Sequence, residues 1–216
     1  MQLLLETWTY IAGHQPDFWA KTGAHLTLSG VALLAALMIA FPLGILSAQS
    51  RGASQAVTNG IGALRAIPSL AIMAAMLPLI GVGFRPALIA LTILAIPPML
   101  INTQAGIMAV NPAITEAARG MGLSRWQIIG QVQLPLALPV IVTGVRIASV
   151  EVIASATLGA IIGAGGLGEY IFAGLSLGPA YLHLMLVGAI TVALLTLTAE
   201  VSLNRLEVVV RHAFHQ

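Results

Sequence analysis

Few side chains in this sequence could do chemistry, and most of them stand alone. There are no cysteines, which excludes thiolate metal sites and disulfides. His14, His25, His183, His212 and His215 contain no i, i+4 ligand pair, so their spacing offers no metal site. His212 and His215 read as solvated residues near the C-terminus. The run Gly163-Ala164-Gly165-Gly166-Leu167-Gly168 matches G-x-G-x-x-G. That pattern cradles a dinucleotide only between the strand and helix of a βαβ unit. Here it follows a long apolar helical stretch and reads as a turn into a short re-entrant or interfacial helix over 169–175. A phosphate-binding loop needs G-x-x-x-x-G-K-[ST], because backbone N–H groups cradle phosphates and the lysine neutralises them. The only lysine is Lys21, preceded by Ala20 and with Gln15 in the first glycine's place. No ATP site, bound cofactor, metal or catalytic set is expected in this chain.

Glu151 is the carboxylate most in need of explanation, because it falls in the middle of an apolar run where a charge is costly. Arg146, five residues away, lies on a different helix face. Two readings stay open. Glu151 attracts a cationic substrate or pairs across a subunit interface, or it is a structural carboxylate bonded to Ser149, Ser155, Thr157 or a neighbouring helix.

The elements that must position these residues are set by composition. Of 216 residues, 7% are charged and 58% apolar, with a mean hydropathy of +0.98. Soluble domains carry roughly 25% charge, so this chain belongs in a lipid bilayer. A net charge of +2, widely scattered, gives no footprint for nucleic acid. No basic n-region precedes an apolar run, so no cleaved signal peptide is expected.

The expected fold is all-α and polytopic, with five transmembrane helices near Leu26–Ala48, Ala56–Ile80, Ala87–Val110, Pro139–Ile162 and Tyr181–Leu203. Residues 1–25 form an extracytoplasmic or interfacial lead-in with Trp8, Tyr10, Phe18 and Trp19. Residues 26–203 are the membrane domain, and 204–216 a cytoplasmic tail. An odd number of spans puts the termini on opposite sides. With the N-terminus outside, Arg51, Arg119, Arg125, Arg205 and Arg211 fall inside and Lys21 and Arg85 outside, which satisfies the positive-inside rule. Pro42, Pro68, Pro78, Pro97 and Pro98 interrupt the spans. Their clustering in spans two and three suggests that these line a pathway, including Pro68 and Ser69, although simple helix irregularity is the competing explanation. Gly30, Ala32, Ala35, Ala36, Ala40 and Gly44 would let the first span pack closely.

The connection over 111–138 carries the most information. Asn111 is an N-cap signal with Pro112 at the first helical position. Ile114, Ala117, Ala118 and Met121 then form a narrow apolar stripe at i, i+3, i+4, i+7. Gly120 and Gly122 stop this helix, and Ser124 with Gln127 is a capping box opening a second, which Pro135 and Pro139 are expected to end. Such a helix lies on lipid or docks in a groove of a soluble partner. A face made largely of alanine suits the protein groove.

Glu116-Ala117-Ala118, then Gly122, Val132 and Leu134-Pro135, resembles the EAA loop of ABC importer permeases, which usually have isoleucine where this chain has Val132. The resemblance implies that the helix is a cytoplasmic coupling helix between spans three and four. Ile114, Glu116, Ala117, Ala118, Met121 and Gly122 would then meet a separate ABC ATPase subunit that binds the ATP. It also implies an extracytoplasmic substrate-binding protein, a second permease, identical or similar, and a bacterial inner-membrane location. For the glycine run, Gly163, Gly165, Gly166 and Gly168, it implies an outer gate or receptor-facing loop, beside the plainer reading as a turn.

The segments Arg65-Ala66-Ile67-Pro68-Ser69-Leu70-Ala71, Pro78 to Gly83 and Pro86 to Leu91, with Glu116–Gly122 and Ser124–Ile128, are similar to the osmoprotectant branch. That branch imports glycine betaine, choline, carnitine and related quaternary amines, and its members usually have an uncharged polar residue near the place of Glu151. Methionine-type permeases share the five-span plan and are the alternative. An ion-gradient carrier would carry inverted repeats and coupled acidic residues in its spans; no repeat is visible.

Overall fold

The computed structural model describes residues 1–65 and 67–214. Ala66 and His215, both named above, lie outside the described residues. Every regular element among those described is helical: α1 Gln2–Gly13, α2 Gln15–Ser47, α3 Arg51–Leu64, α4 Ser69–Ile80, α5 Phe84–Met108, α6 Pro112–Gly120, α7 Arg125–Ile128, α8 Leu134–Ala156, α9 Gly168–Leu177 and α10 Leu182–Phe214. Four helices, or five if a bent pair counts as one span, are long and apolar enough to cross a membrane.

The packing decides that number. Leu28, Ala32, Ala36 and Ala40 on α2 sit one turn apart and bury fully against Ala87, Ala90, Leu91 and Ala95 of α5 and Ala148, Val152 and Ala156 of α8. Small side chains at this spacing let helix axes approach closely, and dispersion between them holds a bundle that lipid does not drive together. Gly144 marks the α5–α8 crossing, where a Cβ would stand 2.8 Å from the Pro98 carbonyl and 2.7 Å from Asn102 Cβ. The Ser47 end of α2 reaches Gln104 near the end of α5, whereas Gly83, the start of α5, donates to the Ile162 carbonyl beyond the end of α8. So α2 and α5 run parallel, α8 runs against them, and the chain between Ser47 and Phe84 must traverse the bundle. That passage is α3 and α4, which makes five crossings and puts the start of α2 and the end of α10 at opposite ends.

The expected second span Ala56–Ile80 is therefore not one helix. α3 and α4 meet at a bend of 81°, with Pro68 in an extended conformation as the N-cap of α4. The pyrrolidine ring has no N–H and disfavours helix in the preceding residue. Pro135 and Pro139 do not end a helix either; both lie inside α8. The chain passes from α7 through a π turn, Ile129–Gln133, directly into α8. A widened turn relieves the clash of Pro135 with the turn before it. The helix that carries the first crossing extends N-terminally of Leu26 to Gln15, with α1 packed against α10, and α10 continues past Leu203 to Phe214.

Candidate functional site

Three places bring the singled-out residues together. At the end of the bundle where α2 and α5 finish, Asn111 caps α6 by accepting from the Ala113 N–H at 2.9 Å. Ser124 and Gln127 close the capping box of α7. These local bonds fold the 111–128 segment as the sequence predicts. The apolar stripe, however, is divided. Ala118 is 2% exposed and faces the protein's own interior, whereas Ile114 and Met121 are 44% and 74% exposed. Glu116, Ala117 and Gly122 are also exposed. Gly122 has φ +85°, the left-handed conformation that lets the chain leave α6 and turn into α7. Trp126 is exposed on the same segment; in the sequence it stands out only as part of a motif, yet a large solvent-facing aromatic is a docking signal in its own right. Beside α6 and α7 lies a polar cavity of about 540 Å³ lined by Gln49, Arg119, Arg125 and Gln133 among others.

At the opposite end, Gly163, Gly165 and Gly166 all have positive φ, at 77°, 79° and 91°. Only glycine adopts three such conformations in four residues without strain. They fold the chain sharply back from α8 into α9, and Gly168 packs so tightly against Thr157 that a side chain would collide with its carbonyl. The helix expected over 169–175 is α9. A charged cluster fastens it to α2. Lys21 reaches Glu169 at 2.6 Å and Asp17 at 3.1 Å, and the Tyr170 hydroxyl donates to Asp17 at 2.7 Å. Burial, and then the bond to Asp17, push the Tyr170 phenol well above its usual range. This clamp was not legible from spacing, because α2 and α9 are far apart in the chain.

Glu151 on α8 meets Arg65, the C-cap of α3 just before the bend, at 3.8 Å. Arg146, discounted above as its partner, turns to α10. It binds Glu200 at 2.7 Å, Asn204 at 3.3 Å and Glu207 at 3.4 Å. Glu200 falls within the expected last span, where a carboxylate is a signal of the same kind as Glu151. No cluster of three or more His, Asp or Glu side chains able to hold a metal occurs among the described residues.

The comparisons with known proteins agree with this architecture. The solved inward-facing structure of the MetNI methionine ABC transporter matches with a TM-score of 0.81 and 23% identity, over 91% of this chain and 97% of that one. An amino acid ABC transporter matches with a TM-score of 0.75 and 20% identity, over 92% and 96%. At these identities the likeness is one of fold. Among curated relatives, the carnitine transport permease protein OpuCB of Listeria monocytogenes is 41% identical over 92% of this chain and 90% of its own length. The glycine betaine/carnitine/choline permease protein OpuCB of Bacillus subtilis is 37% identical over 89% and 88%, and the choline permease protein OpuBB of the same organism 38% over 83% and 82%. The family described as the inner membrane component of binding-protein-dependent transport systems matches residues 40–212. With most of its length covered by that match and its five crossings accounted for, this chain belongs to the family of binding-protein-dependent transport permeases of the inner membrane.

Proposed function

We propose that the chain is the translocating subunit of an ABC importer for quaternary-amine osmoprotectants, driven by ATPase subunits that dock on α6 and fed by an extracytoplasmic binding protein. The observation that carries the cargo is the 41% identity to a carnitine permease across nearly the whole chain, supported by relatives whose names include glycine betaine and choline. A methionine reading rests on fold alone.

The coupling role belongs to the exposed part of the 111–128 segment. Ile114, Glu116, Ala117 and Met121 present a small apolar patch with one carboxylate, flanked by Trp126. Ala118 and Gly122 act differently in this account. Ala118 seats the helix on the permease, and Gly122 sets the turn that joins α6 to α7. Because α7, the π turn and α8 are continuous, a displacement of α6 reaches the centre of the bundle through a stiff rod. The arginine-rich end, with Arg119, Arg125, Arg205 and Arg211, is cytoplasmic, and the α9 end with Lys21 and Arg85 is extracytoplasmic. A second permease, identical or similar, completes the pathway.

Competition uptake tests the cargo. Cells carrying the chain with its ATPase and binding protein are expected to accumulate labelled glycine betaine, choline or carnitine, and excess methionine is expected not to compete. Accumulation of methionine with no uptake of any quaternary amine refutes the assignment.

A further inference from the structure

Three acidic residues fall on the helices of the last two crossings, α8 and α10, and they are treated differently. Glu200 and Glu207 are each bound by an arginine at hydrogen-bond distance. Glu151 is not. Among the described residues no hydrogen bond reaches its carboxylate, and Arg65 stands at 3.8 Å, beyond hydrogen-bond range. The Glu151 and Arg65 side chains are 35% and 52% exposed.

The depth of this pair follows from helix rises. α4 has 12 residues, which climb about 18 Å from the bend to the outer turn. From Glu151 to Ile162 along α8 and its closing 3₁₀ turn is about 19 Å. The two paths meet where Gly83 donates to the Ile162 carbonyl at 2.7 Å. With that outer turn taken as the edge of a hydrocarbon core of about 30 Å, the pair sits near the midplane. A half-exposed ion pair at that depth faces water or protein rather than lipid, because lipid would leave both charges unsolvated. The broken backbone beside it points the same way, since non-helical chain at membrane depth persists only against protein or a water-filled path.

We propose that Glu151 is a specificity-determining residue of the pathway, a carboxylate that attracts the quaternary ammonium group, and that Arg65 is its positioning partner, neutralising it between passages. This rests on the quaternary-amine reading above. It carries a consequence that the reading alone does not. Choline is a cation, whereas glycine betaine bears its own carboxylate and is neutral overall. Removing the negative charge therefore weakens choline transport and leaves betaine transport nearly unchanged. Removing Arg65 does the opposite for choline.

The test is uptake kinetics for both cargoes in vesicles holding the assembled transporter with its ATPase and binding protein. Glu151→Gln is expected to raise the KM for choline relative to glycine betaine by about tenfold. Glu151→Asp is expected to keep the wild-type ratio, and Arg65→Gln to lower the choline KM severalfold. A purely structural role moves both cargoes together, so an unchanged ratio in Glu151→Gln overturns the proposal. If that variant does not assemble, an unchanged choline KM in Arg65→Gln overturns it. Wild-type vesicles that take up neither cargo refute the quaternary-amine reading itself, and this inference with it. Wild-type uptake with an unselective Glu151→Gln refutes only the role of Glu151.

Discussion

Replacing Arg146 by methionine keeps most of the aliphatic packing and deletes the guanidinium that holds α8 to α10. In the folded chain that group contacts Glu200 at 2.7 Å and Glu207 at 3.4 Å. The two ion pairs differ in worth. Glu200 is 39% exposed, so its pairing contributes about 0–1 kcal/mol, as exposed pairs do. The Glu207 side chain is 9% exposed, and stripping a buried carboxylate of a partner costs about 3–5 kcal/mol. Arg211 stays within 2.9 Å of Glu207 and offsets part of that. The net loss is then roughly 2–3 kcal/mol, which corresponds to a fall in apparent Tm on the order of 5–10 °C for a chain of this size. Thermal unfolding in detergent, followed by tryptophan fluorescence, reads the shift. Glu200→Gln is expected to lower the Tm by about 3 °C or less. The double variant Arg146→Met/Glu207→Gln is expected to lose less than the sum of its parts, since the two residues share one interaction. An Arg146→Met protein that melts within a degree of wild type, or strict additivity in the pair, would show that this guanidinium does not hold α8 to α10.

The α5–α8 crossing predicts that Gly144→Val destabilises the bundle by about 1–3 kcal/mol or more, because the new Cβ meets the Pro98 carbonyl at 2.8 Å; the same melting assay reads it, and wild-type stability contradicts it. Lys21→Met removes the cation shared by Asp17 and Glu169 and is expected to loosen α9, seen as faster protease cleavage or amide exchange over 163–178 with the rest of the chain unaffected. Asn111→Ala removes the cap at the start of α6 and is expected to cost about 1 kcal/mol of local helix stability, which amide exchange over 112–120 would register.

What could be read from the sequence was local. The ends of α6 and the start of α7 follow from side chains bonding backbone two or three residues away, so Asn111, Ser124 and Gln127 announce them. The turn after α8 is announced by glycines whose conformations other residues avoid. Where long-range packing decides, the sequence is silent or misleading. Pro68 signals a break, but the 81° between α3 and α4 depends on which neighbours each half meets. Pro135 looks like a helix end, and only the π turn before it reveals a continuous rod. Ala118 belongs to the apolar stripe by spacing, yet its contacts are inside the permease, which leaves Ile114, Ala117 and Met121 as the outward face. Arg146 finds Glu200 at a separation of 54 residues, and no periodicity within one helix could have named that partner. The α2–α9 clamp of Asp17, Lys21, Glu169 and Tyr170 was invisible for the same reason.

In the proposed function this chain moves its cargo with power supplied by another subunit docked at α6. Proteoliposomes containing the chain, its ATPase and its binding protein measure it most directly, with uptake and ATP hydrolysis recorded together for wild type and for Glu116→Lys. Uptake is expected only when ATP and the binding protein are both present, and is expected to be lost in Glu116→Lys while the protein still inserts and melts as wild type does. Uptake that persists without ATP, or a Glu116→Lys transporter as active as wild type, would contradict it.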